Sequence, residues 1–133
     1  MPAAQTLILL AHKTMLRPLA GLMQKRRSTF EAYRLLSTTE TGQWLEEETG
    51  LEISCVFPAR KGGDIQLCGL ICSNTIRAVF FLRDPLNVDA AEPDIAPFYR
   101  ACDLNNVPLA TNVVSAAAII LWLGRRNLEE AKA

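Results

Sequence analysis

The chain has 133 residues, 50% of them hydrophobic and 21% charged, which suits one globular domain large enough to bury a proper core. Lys plus Arg and Asp plus Glu each number 14, so the formal charge is zero. The basic excess that general nucleic-acid or membrane-surface binding requires is therefore missing, and a charge near zero permits self-association.

No apolar run approaches the ~18 residues that would span a bilayer. The start, Met1-Pro2-Ala3-Ala4-Gln5, lacks the charged region of a signal peptide, so a cytoplasmic protein is expected. Cys55, Cys68, Cys72 and Cys102 are then expected to be reduced thiols packed in the core. With one His and no C-x-x-C pair, no metal site is expected.

In chain order, short apolar runs alternate with helical periods. Residues 7–11 read as a buried strand, and Leu16, Leu19, Leu22, Met23 and Phe30 recur at helical spacing. Residues 33–37 form a second strand, followed by a helix from about Thr41 that ends at Gly50. A third strand covers residues 53–57, a helix residues 64–73, and a fourth strand residues 78–82. A helix is predicted over 93–106, with Pro93 in its first turn. A short fifth strand spans 107–110 and a last helix 115–123. The polar tail from Gly124 is a docked helix or a frayed end. There is no repeat, linker or low-complexity stretch, so residues 1–133 read as one domain.

Five strands alternating with helices predict a three-layer α/β fold, with a five-stranded parallel, doubly wound sheet. In such sheets ligands bind outside the carboxyl ends of the strands. Here those ends carry His12-Lys13, the run Ser37-Thr38-Thr39-Glu40-Thr41-Gly42, the run from Pro58 through Gly62-Gly63-Asp64, then Arg83-Asp84-Pro85-Leu86-Asn87, and Thr111-Asn112. Two of these loops enter helices, whose free N–H groups and dipole attract anions. Asp64, Asp84 and Asp94 lie beside them. Phosphate donors next to carboxylates suit a small phosphorylated substrate that loses a proton to a carboxylate base. Taken singly, each Thr or Asp also reads as a helix cap and Gly-Gly as a turn; their convergence is what points to a site.

These residues resemble the methylglyoxal synthase family. The resemblance is carried by Leu10-Ala11-His12, Ser37-Thr38 with Thr41-Gly42, Gly62-Gly63-Asp64 followed by Gln66, Asp84-Pro85-Leu86-Asn87, Pro93-Asp94, and Pro108-Leu109-Ala110-Thr111-Asn112. It implies a homohexamer without metal or organic cofactor that converts dihydroxyacetone phosphate into methylglyoxal and phosphate. It assigns Asp64 as the base, Asp84 and Asp94 as further active-site carboxylates, and His12 as a pocket histidine. Thr38 and Thr41 match phosphate-holding hydroxyls; Lys13, Thr39, Gly42, Gly62 and Gly63 complete the candidate binding set.

Four positions depart from the family pattern. Leu16 stands where the family has a phosphate-binding lysine, Thr39-Glu40 where it has Gly-Thr, Pro58-Ala59 where it has Ser-Gly, and Ala91 where it has a histidine. A carboxylate about 4 Å from a phosphate charge costs roughly 4 kcal/mol per pair at an effective dielectric of 20. Each lost donor costs about 1–3 kcal/mol. Lys13, Arg17, Arg60 and Lys61 are the cations placed to compensate. Alternatively, the Glu40 carboxylate sits on the helix N-terminus and fills the anion site itself. The readings are thus an active lyase, a related enzyme with another small substrate, or a non-catalytic module that binds a small effector or partner protein.

Overall fold

The computed structural model describes residues 6–86 and 89–132. Its elements are β1 (Thr6–Ala11), α1 (Leu16–Lys25), α2 (Arg27–Glu31), β2 (Arg34–Ser37), α3 (Thr39–Thr49), β3 (Ser54–Cys55), α4 (Gly63–Ile71), β4 (Ile76–Leu82), α5 (Ala96–Asn105), β5 (Leu109–Ala110) and α6 (Val113–Lys132). Single 3₁₀ turns at Lys13–Met15 and Ala59–Lys61 precede α1 and α4. The strands form one all-parallel sheet in the order β3-β2-β1-β4-β5.

Alternation along β1 explains the layers. Leu7, Leu9 and Ala11 face a core shared with Leu19, Met23, Phe30, Leu45, Ala116, Ile120 and Leu123, on one side of the sheet. Ile8 and Leu10 face a second core with Leu67, Ile71, Val79, Phe81 and Phe98, beneath α4 and α5. Every residue of β4 is buried, as expected for a central strand covered on both faces.

Several boundaries differ from the sequence reading, each for a local reason. The helix predicted through Phe30 breaks at Arg26, whose φ of −118° and ψ of 40° are not helical. The third strand shrinks to two residues because its partner β2 is short. Beyond Cys55, the Val56 N–H reaches the Ser37 carbonyl, the Val56 carbonyl accepts the Thr39 hydroxyl, and Pro58 has no N–H to continue the ladder. The fifth strand covers only Leu109 and Ala110, which pair with Val79 and Phe80 of β4. The helix predicted from Pro93 begins at Ala96, with Pro97 rather than Pro93 in its first turn.

The polar tail is not frayed: α6 continues unbroken to Lys132. Tyr33 donates its hydroxyl to Asn127 Oδ1 at 2.6 Å, and the buried Arg77 pairs with Glu130 at 3.2 Å. Among the cysteines only Cys102 is buried, whereas Cys55 and Cys72 are exposed; burial pushes the Cys102 thiol up to about 12.

Candidate active site

The strand order reverses between β1 and β4: the chain runs outward from β1 to β2 and β3, then crosses back to β4 and β5. The carboxyl ends of β1 and β4 thus flank the point where an open parallel sheet leaves a crevice. Ala11 pairs with Leu82, and the His12 N–H continues the ladder to the Leu82 carbonyl at 3.0 Å. The segments 12–14 and 83–86 consequently leave the sheet side by side.

His12 joins three pieces of this edge. It is buried, and its ring meets Phe81 edge-on at 5.5 Å between centroids. Its Nδ1 accepts the Asp84 main-chain N–H at 2.9 Å, and its Nε2 lies 3.3 Å from the Pro93 carbonyl. A main-chain N–H only donates, so Nδ1 carries no proton, and the proton on Nε2 is donated to Pro93. The adjacent Lys13 N–H donates to Glu92 Oε1 at 3.2 Å. Asp84 is fixed in turn: Oδ2 accepts the Thr14 hydroxyl at 2.8 Å and Oδ1 the Leu86 N–H at 3.0 Å. These two bonds, Thr14 first, hold its carboxyl below the usual carboxylate range. Asp94 Oδ1 accepts the Ala96 N–H at the start of α5, and Asn112 Oδ1 the Ser115 N–H in the first turn of α6.

On the other side of β1, the β2–α3 turn supplies the threonines. Thr38 is buried and N-caps α3; Gly42 N–H donates to the Thr38 carbonyl, leaving the earlier N–H groups of α3 outside the helix ladder. The Thr39 hydroxyl is committed to Val56, and the Ser37 hydroxyl to the Leu9 carbonyl at 2.6 Å. Gly42 has a packing role, because a Cβ there would lie 2.4 Å from Cys55 Sγ. Glu40 is exposed and lines a cavity. Among the described residues it makes no hydrogen bond to the helix N-terminus, so the expectation that it fills the anion position itself is not met.

That cavity measures about 510 Å³. Lys13, Thr38, Glu40, Thr41 and Arg60 supply its polar lining together with Asp89 and Glu92, while Leu16, Trp44, Ala59 and Ala91 supply apolar wall. Of the four cations named from sequence, Lys13 and Arg60 line it, whereas Arg17 and Lys61 do not. A neighbouring cavity of about 270 Å³ is lined by His12, Arg83 and Asp94, and shares Asp89, Glu92 and Pro93 with the first.

Asp64 is placed by a glycine pair whose geometry allows no alternative residue at one position. Gly62 adopts a left-handed φ of 92°, and a Cβ on Gly63 would lie 1.8 Å from the Phe57 carbonyl oxygen. Gln66 Oε1 accepts the Phe57 N–H at 3.0 Å and closes the same turn. Asp64 follows, half-buried in the first turn of α4, and lines neither cavity. The site thus brings Lys13, Thr38 and Thr41 together in one wall, and ties His12 to Asp84 and to the loop bearing Asp94. Asn87 lies outside the described residues. Thr14 and Glu92 had no signal in the sequence, since their partners lie 70 and 79 residues away. Among the described residues, no cluster of His, Cys, Asp and Glu could hold a metal ion, and no helix is long and apolar enough to cross a membrane.

Similarity to known proteins runs along most of the chain. Residues 19–111 match the family model described as the MGS-like domain. The chain is 36% identical over 121 residues to a methylglyoxal synthase of Thermoanaerobacter, covering 91% of this chain and 92% of that one. It is 40% identical over 122 residues to an uncharacterized Synechocystis protein, covering 92% of this chain but only 28% of that longer one. Among solved structures, the crystal structure of methylglyoxal synthase from Elizabethkingia anophelis superposes with a TM-score of 0.84 at 31% identity, covering 90% of this chain and 79% of that one.

Proposed function

We propose that this chain, a member of the MGS-like family, is a lyase of the methylglyoxal synthase type, acting on dihydroxyacetone phosphate. The observation that carries this reading is the near end-to-end similarity to proteins of that name, in both directions, together with the polar strand ends gathered at the switch point. In this reading the α3 N-terminus, Thr38, Thr41, Lys13 and Arg60 hold the phosphate, with charge and N–H donation substituting for the lysine replaced by Leu16. Asp64 takes a proton from C3 of the substrate, giving an enediolate. The C–O bond to phosphate then breaks, and the released enol rearranges to methylglyoxal. Asp84 and Asp94 orient the substrate, and His12 holds the loops that carry them. The reading needs no metal or organic cofactor and places the protein in the cytoplasm as a homohexamer; sedimentation velocity showing a monomer throughout the micromolar range would refute that assembly.

A second reading has a specific observation in its favour. Leu16, Glu40 and Ala91 all stand in the wall of the cavity, two of them without donors and one with a carboxylate. A module that binds a small effector without turnover accommodates these residues directly. A coupled assay of phosphate release from dihydroxyacetone phosphate separates the two. Release by the native chain, abolished in Asp64→Asn, is expected; no release from folded protein would leave the binding module.

A further inference from the structure

We infer that Thr14 is the positioning residue that fixes the Asp84 carboxylate at the switch point, making Asp84 an orienting acceptor and leaving proton abstraction to Asp64. This rests on the reading of these carboxylates given above; the role of Thr14 is an addition to it. Thr14 sits in the 3₁₀ turn after β1, and its hydroxyl donates to Asp84 Oδ2 at 2.8 Å across 70 residues of sequence. The Leu86 N–H holds Oδ1, and the Asp84 N–H is itself anchored on His12 Nδ1. Three bonds therefore grip one residue, two of them from the segment 12–14.

The terminal torsion of an aspartate is otherwise broad, so a free carboxylate on a loop samples many orientations. With one donor on each oxygen, the Asp84 plane is set and one acceptor direction per oxygen remains for a substrate hydroxyl. A carboxylate held ionised in this way is a poor recipient for a carbon-bound proton. Asp64 differs, since its carboxylate has no hydrogen-bond partner among the described residues. The structure thus separates the acids by their partners: Asp84 with both oxygens engaged, Asp94 with one, and Asp64 with neither. Because Thr14 leaves the sheet beside Asp84 through the paired ends of β1 and β4, the contact is built on the two central strands rather than on a loop tip.

The test uses Thr14→Val, which keeps the shape and removes the donor, and Thr14→Ser, which keeps the donor. The carboxyl carbon of Asp84 is titrated by NMR in the free protein, with its charged and titratable neighbours His12, Lys13, Arg83, Asp89, Glu92 and Asp94 unchanged. In Thr14→Val it is expected to titrate at higher pH than in the native chain, whereas Thr14→Ser follows the native curve. With dihydroxyacetone phosphate, Thr14→Val is expected to lower kcat about tenfold with KM within about twofold, and Thr14→Ser to restore it. Identical titrations for all three proteins, or equal losses in both variants, would overturn the proposal. A shifted titration in Thr14→Val with no turnover by the native chain would instead establish the grip and remove the lyase reading.

Discussion

At the scale of single residues, two glycines in α4 differ in what surrounds them. Gly63→Ala drives a methyl group into the Phe57 carbonyl, while a Cβ on Gly69 meets nothing within 4 Å. Urea unfolding is therefore expected to show Gly63→Ala destabilised by about 1–3 kcal/mol. Gly69→Ala is expected to be stabilised by about 0.4–1 kcal/mol through helix propensity and the unfolded chain. Equal midpoints for the two would mean that the turn holding Asp64 is not built as described. Asp84 gives the pH dependence at the same scale. Its carboxyl is held down in the folded state by Thr14 and Leu86, so its contribution is complete above the ordinary carboxylate range. That contribution is lost as pH falls through the lowered folded-state value. Thr14→Val should accordingly narrow the stability difference between neutral and strongly acidic solution, read from urea midpoints across that range.

Among the elements, α6 shows how a remote anchor decides a boundary. The polar tail from Gly124 reads equally as a docked helix or a frayed end, and the structure has the helix, continuous with the turns before it. Its last two turns are held by Asn127 on Tyr33 and Glu130 on Arg77, residues from β2's approach and β4 that local pattern cannot reveal. Surface pairs such as Arg125 with Glu129 add little, being largely exposed. Arg77 is buried, and its Nη1 has no hydrogen-bond partner among the described residues, so Glu130 is its main compensation. Glu130→Ala should cost about 1–3 kcal/mol by stranding the guanidinium. Arg77→Met, which removes the buried charge as well, should cost less or be neutral. Thermal or urea unfolding giving the reverse order would show that the pair is only incidental. The central strands, by contrast, are legible from sequence because residues 7–11 of β1 and 78–82 of β4 are unbroken apolar runs, and both strands are paired on both sides. The edge strands are shorter than their apolar runs because only two residues of each pair with the neighbouring strand, Ser54 and Cys55 with β2 and Leu109 and Ala110 with β4, and composition does not carry that register.

For the whole molecule, the sheet order turns dispersed loops into one rim. Strand alternation alone was enough to place Lys13, Thr38 and Thr41 at that rim, and they do share a wall. It was not enough to foresee that Thr39 and Ser37 spend their hydroxyls on main-chain carbonyls, or that Thr14 and Glu92 bind across from β1 to the later loops. Those partnerships depend on which strands become neighbours, a three-dimensional fact with no local trace. The proposed chemistry requires a small phosphorylated molecule in the crevice between β1 and β4, with the Asp64 side chain against its carbon skeleton. A crystal structure of the Asp64→Asn variant with dihydroxyacetone phosphate tests this directly. The phosphate is predicted at the start of α3 beside Thr38 and Thr41, with the substrate C3 within about 3.5 Å of the side-chain amide introduced at position 64. A ligand bound elsewhere, or that amide turned to solvent away from an occupied crevice, would contradict it.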